Sequence, residues 1–262
     1  MNKMDFEYIQ REAASQMECG AEFIELHASS LLDSELPFLM KAIPLIEKIG
    51  GKIYIRSRKL DIIIKLINIA TREMIVGDIE FDKEKIDQLI PYLKEKDIKL
   101  VASITDKQEE PIYPEKSLLI AQYYVDYLLD AGIERKRILL DPVVKPLEES
   151  CTNGKEFLNT LELFKLDFPQ VKTIAKLTNL SEGMPNRKII NSHFLSLAIE
   201  NGLDYFVIDA ENELTKASII STLAIIGRDK NCKNYINFCR EKKNLKEIKL
   251  ETDQLENSEQ FI

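Results

Sequence analysis

Short apolar runs alternate along this chain with segments in which apolar residues recur every three or four positions. This alternation is typical of repeated units of one strand and one helix, which build sheets of parallel strands. The pattern predicts seven strands. They cover Glu22–Ala28, Lys52–Ser57, Met74–Asp78, Leu100–Thr105, Ile138–Val143, Thr173–Thr178 and Tyr205–Asp209.

One helix is predicted before the first strand, and one after each of the seven strands. They cover residues 4–18, 33–48, 58–70, 82–95, 114–131, 154–166, 187–201 and 212–226, with a further helix through Tyr235 and Phe238. Several end at a glycine just before the next strand, as at Gly20 and Gly132, and glycine is favoured at left-handed helix ends. The length of 262 residues fits a single (β/α)8 barrel and fits a doubly wound sheet equally well.

The composition narrows the class of protein. With 45% hydrophobic and 31% charged residues we expect one soluble domain, and the N-terminus lacks the apolar stretch of a secretory signal, which predicts a cytoplasmic protein. The formal charge of −8 disfavours nucleic acid as a partner. The four cysteines are scattered without a CxxC pair, so neither a disulfide framework nor a metal site is expected.

Polar side chains follow the apolar part of each predicted strand. Examples are Glu25, Asp78, Asp141 and Asp209. The carboxyl ends of parallel strands meet at one edge, so in a barrel these residues would surround one pocket. The alternative is that strands simply become polar where they reach solvent.

Three segments carry a resemblance to a known family. They are KLTNLSEGMPNRKIINSHFL (176–195), ILLDPVVKP (138–146) and GLDYFVIDAENEL (202–214). Together they resemble the pterin-binding methyltransferases, in particular those that transfer the methyl group of methyltetrahydrofolate to a corrinoid/iron-sulfur protein. The resemblance spans roughly residues 10–245, with TNLS in place of the family's usual SNVS. Dihydropteroate synthase shares the barrel, but its S-R-K type motif is absent from this strand, so a synthase-like enzyme is the weaker alternative.

The resemblance implies roles for individual residues. Asn179 is expected beside N5 of the pterin as the catalytic residue that helps to stabilise a proton there, and the alternative is a loop-capping asparagine. Asp141 is expected to accept hydrogen bonds from the amino-pyrimidine edge, or else to cap the turn at Pro142. Arg187 could contact substrate carboxylates or hold a helix N-terminus. The remaining substrate-binding candidates are Ser181, Asp209, Asp78 and Glu25.

The N-terminal half departs from the family in several places, and Glu25-Leu26-His27 stands where the family has Asp-x-Asn. Arg56 ends a strand that in the family ends in a pterin-binding aspartate, and Val76 stands where the family has an asparagine. Only residues 1–5 precede the first helix, which is too short for the family's first strand. We therefore expect an α/β, TIM-barrel-like (β/α)8 fold that lacks or alters its first strand, in one domain over residues 1–245 with a charged tail at 246–262.

The function implied by the resemblance is transfer of the N5-methyl group of methyltetrahydrofolate to the cobalt of a corrinoid. The corrinoid would be carried by a partner protein, no bound metal is expected, and the chain itself would form a homodimer or a hetero-oligomer. Arg56, Val76 and the missing strand favour a second possibility, a non-catalytic paralogue that serves as a binding or assembly subunit. The segments at the C-terminal side favour an enzyme.

Overall fold

The computed structural model describes residues 5–57, 59–106 and 113–241. Within them all seven predicted strands are present, and each starts within two residues of its predicted start. The strands are β1 (Phe23–His27), β2 (Lys52–Arg56), β3 (Met74–Glu80), β4 (Ile98–Ser103), β5 (Ile138–Asp141), β6 (Lys172–Ala175) and β7 (Tyr205–Phe206).

The helices also follow the prediction. They are α1 (Phe6–Glu18), α2 (Glu35–Lys48), α3 (Leu60–Ile69), α4 (Lys83–Glu95), α5 (Pro114–Asp130), α6 (Asn153–Asp167), α7 (Arg187–Glu200), α8 (Glu213–Ile225) and α9 (233–241). Residues 4 and 58, at the predicted starts of two helices, and the predicted tail 246–262 lie outside the described residues.

The seven strands form one parallel sheet in the order β1 to β7. The sheet is curled, so that residues from all seven strands pack against one another on its inner face. This interior cluster consists of Phe23, Tyr54, Ile75, Val101, Leu139, Ile174, Tyr205 and Val207. No strand pairing among the described residues joins β1 to β7. The prediction of a TIM-barrel-like fold with an altered first strand is confirmed as a seven-stranded barrel that is open between its outer strands.

The larger core lies between the sheet and the helices. Side chains alternate between the two faces of a strand, so Leu26, Ile55 and Val76 point away from the barrel interior and pack with the helices. In β2 the same alternation sends Tyr54 and Arg56 inward. The outer face is therefore continuously apolar, and the inner face becomes polar toward the strand ends.

Ion pairs occupy the amino-terminal ends of the strands. Lys52 contacts Glu22 at 3.2 Å and Glu73 at 2.6 Å, and Glu73 also pairs with Lys99. On the other side of the barrel Lys172 contacts Asp204 at 2.6 Å. These charges neutralise one another beneath the apolar interior layer.

All four cysteines are free thiols; Cys19 is half-buried, and the other three are exposed. Among the described helices, none is both long and apolar enough to cross a membrane.

Candidate functional site

The carboxyl ends of the strands form the mouth of the barrel. Because side chains at alternate positions share a face, the residue two places after each apolar interior residue also points inward, one layer nearer the mouth. Glu25 thus follows Phe23, Arg56 follows Tyr54 and Asp141 follows Leu139. By the same rule Lys176 follows Ile174. Charged side chains therefore meet above the apolar layer.

Arg56 and Asp78 are the centre of this charged layer. Arg56 Nε donates to Asp78 Oδ2 at 2.5 Å, and the Tyr54 hydroxyl donates to Asp78 Oδ1, also at 2.5 Å. Burial lowers the pKa of Arg56, but Asp78 outweighs this and the pKa is raised overall. Burial, reinforced by Asp78, raises the pKa of Tyr54. Both side chains therefore keep their protons, and Asp78 accepts a hydrogen bond from each of them.

Glu25 joins this layer from β1. Its carboxylate lies 3.5 Å from Arg56 Nη1 and 3.7 Å from Lys176 Nζ. Among the described residues, the mouth therefore carries three acidic side chains, Glu25, Asp78 and Asp141, and two basic ones, Arg56 and Lys176.

Asp141 is the most deeply buried of these three carboxylates, and the residue is only 8% exposed. Its Oδ1 accepts from the backbone N–H of Val143 at 2.9 Å. Burial and the neighbouring charge of Asp78 raise the pKa of Asp141 to about 7. Asp141 is therefore divided between its protonated and ionised forms near neutral pH, and it can donate or accept a hydrogen bond.

Val143 reaches Asp141 through an uncommon backbone conformation. Its φ is +52°, which a β-branched residue adopts only at a cost of order 1–3 kcal/mol. The turn Asp141-Pro142-Val143 is thus held by the surrounding structure in the conformation that aims the Val143 N–H at the carboxylate.

The loop after β6 places Asn179 at the mouth. Residues Leu177–Asn179 form a single 3-10 turn, and the Asn179 backbone N–H donates to Lys176 O at 3.3 Å. Asn179 itself is half-buried. The turn fixes Asn179 directly after the strand that supplies Lys176.

Ser181 and Arg187 brace this loop. The Ser181 side chain is fully buried, and its Oγ donates to Thr178 O and accepts from Arg187 Nε at 3.1 Å. Arg187 Nη2 also donates to Thr178 O at 2.7 Å. These contacts correspond to the structural alternative for Arg187, which lies at the N-terminus of α7.

Asp209 lies at the rim. It is exposed, and its Oδ1 accepts from Gln16 Nε2 at 3.1 Å and from the backbone N–H of Glu211. Asp209, Glu25 and Lys176 all line a cavity of about 360 Å³ that opens between the ends of β1, β6 and β7.

Val76 does not face the mouth; it is fully buried on the outer face of β3, among the helices. The pairing of β3 with β4 shifts between Val76 and Ile79, and this irregularity turns Asp78 inward. The residue that β3 contributes to the mouth is therefore Asp78, and the missing amide at Val76 has no bearing on the site.

The structure brings Glu25, Asp78 and Asp141 together and places Asp209 and Asn179 at the ends of neighbouring strands. Tyr54, Val143 and Lys176 also contribute to the mouth, but they are not among the residues that the sequence predicts for the site. Strand alternation alone could have placed Tyr54 beneath Arg56 and Lys176 beside it. The backbone of Val143 gives no comparable signal in the sequence.

Comparison with solved structures identifies the class of fold. Dihydropteroate synthase from Xanthomonas albilineans in complex with 7,8-dihydropteroate superimposes with a TM-score of 0.68 over 87% of this chain and 86% of that one, at 14% identity. A dihydropteroate synthase from Coxiella burnetii in complex with pteroic acid gives 0.62 over 84% and 86%, at 15% identity. The chain has the fold of the dihydropteroate synthase barrels.

Sequence comparison points to methyltransferases. The chain is 26% identical to the methylcorrinoid:tetrahydrofolate methyltransferase of Eubacterium limosum over 246 residues, which are 93% of this chain and 91% of that relative. It is 30% identical to methionine synthase of Mycobacterium leprae over 122 residues, which are 44% of this chain and only 10% of that protein. No protein-family model matches. The predicted resemblance to pterin-binding methyltransferases is confirmed, and these relatives are enzymes, as predicted for this chain.

Proposed function

We propose that this chain is a methyltransferase that moves a methyl group between N5 of tetrahydrofolate and the cobalt of a corrinoid held by a partner protein. The support is the similarity to the E. limosum methyltransferase along 93% of the chain, together with a buried carboxylate, Asp141, at the mouth of a barrel of the dihydropteroate synthase type. The name of that relative gives transfer from methylcorrinoid to tetrahydrofolate. A single site serves both directions, because forward and reverse reactions share one transition state.

Asp141 would recognise the pterin. Its carboxylate can accept from the two donors on the amino-pyrimidine edge, and a planar pair of charge-assisted hydrogen bonds of this kind is strong and orients the ring. Only the ionised form of Asp141 can accept both. Because the pKa of Asp141 is raised to about 7, the affinity for methyltetrahydrofolate should increase between pH 6 and pH 8.

Isothermal titration across this range tests the pH dependence. The increase should be lost in Asp141→Asn, whose amide does not titrate. An unchanged pH profile in that variant would assign the dependence to another group.

Asn179 would act at N5. The corrinoid supplies a Co(I) nucleophile when it is the methyl acceptor, and the ring nitrogen that loses the methyl group must then gain a proton. An amide beside N5 can reorient to support that proton in the transition state. The backbone of the turn Leu177–Asn179 holds Asn179 at the end of β6, on the same side of the barrel as Asp141.

The decisive experiment is titration of the purified chain with methyltetrahydrofolate, followed by a methyl-transfer assay with a Co(I) corrinoid. Asn179→Ala should slow transfer by about 10²-fold while it weakens folate binding much less, because the contact strengthens in the transition state. Asn201→Ala is the matched control, since Asn201 is a half-buried asparagine at the end of α7 whose side-chain amide donates to Leu197 O. Equal losses of binding and rate in Asn179→Ala would contradict the catalytic role.

A binding or assembly subunit is the second candidate, and one observation favours it. Arg56 already pairs with Asp78 and Glu25, so two of the three carboxylates of the mouth have a cation of the chain itself as partner. Absence of saturable binding at millimolar methyltetrahydrofolate would end the enzyme proposal and leave this one. The oligomeric state, which we propose to be a homodimer or a hetero-oligomer, can be read from light scattering of the same sample.

A further inference from the structure

A slot runs along the open side of the barrel, between β1 and β7. Its volume is about 620 Å³, and we call it the seam slot. Apolar and aromatic side chains make up most of its lining, with Phe23, Tyr54 and Tyr205 on the inner wall and Ile219 and Ile220 of α8 on the outer wall. Charged residues also line the slot, namely Glu22, Glu25, Lys172, Asp204 and Lys216. The slot lies next to the charged layer of the mouth, and Glu25 and Tyr54 border both.

The two long sides of the seam slot are strand edges. β1 and β7 are the outer strands of the sheet, and among the described residues no backbone hydrogen bond connects one to the other. Each therefore presents backbone N–H and C=O groups to the slot that the sheet does not use. An exposed edge of this kind is a template for another strand.

The walls of the seam slot are held in place from both sides. Gln16 of α1 donates to Asp209 at 3.1 Å and accepts from the backbone N–H of Ala210 at 2.8 Å, so it connects α1 with the segment after β7. Inside the barrel the rings of Phe23 and Tyr205 meet edge to face, with centroids 6.4 Å apart. The slot is thus a formed feature of the fold.

The side chains of helix α8 are less buried than its apolar sequence predicts. Ile219 and Leu223 are partly buried against the neighbouring core, Ile225 is 83% exposed, and Thr222 is the one residue of this fully described helix that is buried. Thr215 and Ile219, one turn apart, both line the seam slot. A helix that is apolar on most sides is normally covered on most sides.

We propose that the seam slot is a docking site for an extended, apolar strand of a partner polypeptide, which pairs with β1, β7 or both. Strand edges need backbone groups as partners, which a small apolar ligand does not offer. Because apolar side chains make up most of the inner and the outer wall, the inserted strand should be mainly apolar on both faces, like the buried strands of parallel sheets.

The chain's own residues 242–262 do not match this requirement. Their apolar residues are isolated between charged and polar ones, and the only adjacent apolar pair is Phe261-Ile262. A strand from this segment would bring charged side chains into an apolar wall, which is costly without a partner for each charge. The composition of residues 242–262 therefore does not fit the slot.

Cys19 provides a native probe of the slot. Its thiol is half-buried on the slot wall, whereas Cys151 is exposed elsewhere. The test ligand is a capped peptide with a run of valine and isoleucine as long as β1, 5 residues, between pairs of lysines. At about ten times its Kd the peptide should slow alkylation of Cys19 by N-ethylmaleimide about tenfold and leave Cys151 unaffected, as read by mass spectrometry.

Two controls make the result specific. The same peptide with prolines in the run cannot form a strand ladder and should give no protection. In the protein, Ile220→Lys should abolish the protection, and Leu214→Lys, at a 48% exposed position of the same helix, should retain it. No protection of Cys19 at millimolar peptide, or equal protection by both peptides, would overturn the proposal.

Experiments on the full chain without added peptide test two other possible occupants of the seam slot. Slow hydrogen exchange of residues 242–262 together with a Cys19 already resistant to alkylation would identify the chain's own tail as the occupant. Protection of Cys19 that rises with protein concentration, in step with a dimer in light scattering, would identify a second copy. Either result overturns the proposal of a separate partner, and none of these readouts depends on methyl transfer.

Discussion

Asp141 should make the stability of the protein depend on pH. Its pKa is raised from 3.8 to about 7, so the folded state holds the proton more tightly than the unfolded state does. The free energy of unfolding should therefore fall as pH rises from about 4 to about 7 and should level off above that. The change is a few kcal/mol at most, since a pKa difference of one corresponds to about 1.4 kcal/mol.

Urea unfolding of wild type and Asp141→Asn between pH 4 and pH 8 measures this. In the variant most of this decrease in the free energy of unfolding should be lost, because its amide keeps the bond to Val143 without titrating. Asp61→Asn, at an exposed surface pair with Lys65, should behave like wild type. A wild-type curve that is flat over this range would show that Asp141 is ionised throughout.

Glycine 77 sets the spacing of two neighbouring strands. A Cβ at Gly77 would lie 2.5 Å from Val101 Cβ, so any larger residue must push β3 away from β4, next to Asp78. Gly77→Ala should lower the free energy of unfolding by about 1–3 kcal/mol, the usual cost of overpacking a core. It should also displace Asp78 from Arg56 and Tyr54.

The matched variant is Gly154→Ala in the first turn of α6. The nearest atom to a Cβ there is 3.5 Å away, which is ordinary contact, and the helix gains a better helix former. Thermal unfolding of both variants measures the difference. A Gly77→Ala protein as stable as Gly154→Ala would mean that β3 and β4 separate without cost.

Strands and helices could be predicted from the sequence where the local pattern of apolar residues and glycines determines them. The starts of the strands follow from apolar runs, and the helix ends follow from glycines such as Gly20, whose φ is +101°. The ends and faces of strands were less predictable. Strict alternation from Ile75 would turn Asp78 away from the interior, and only the register shift between β3 and β4 reverses this. Such a shift depends on the neighbouring strand, which is distant in sequence.

The chemistry of the mouth could be predicted in type but not in arrangement. Polar residues at the strand ends indicated a pocket, and Asp141 and Asp78 are both there. The pairing of Arg56 with Asp78 and Glu25 could not be read from sequence, because it joins three different strands. The same holds for Arg187, whose bonds to Ser181 and Thr178 depend on the path of the loop.

For the whole molecule, the open side of the barrel should appear in hydrogen exchange. β4 lies in the middle of the sheet with a neighbour on each side, whereas β1 and β7 have one neighbour each. Amides of β4 should exchange only through global unfolding, and those of β7 through local opening, with protection lower by at least about tenfold. Native-state exchange read by NMR compares the two within one sample. Equal protection of β4 and β7 would show that the outer strands are covered in solution.

The bridge made by Gln16 has a consequence for how the chain folds. Gln16 bonds to Asp209 and Ala210, which lie 193 and 194 positions further along the chain. Each pairing of the sheet, in contrast, joins strands that are consecutive in the chain. Closing so long a loop is slow relative to neighbouring pairings, so successive strand–helix units can assemble in the order of synthesis and the contact of α1 with the segment after β7 forms last. Gln16→Ala should therefore speed unfolding and leave the folding rate nearly unchanged.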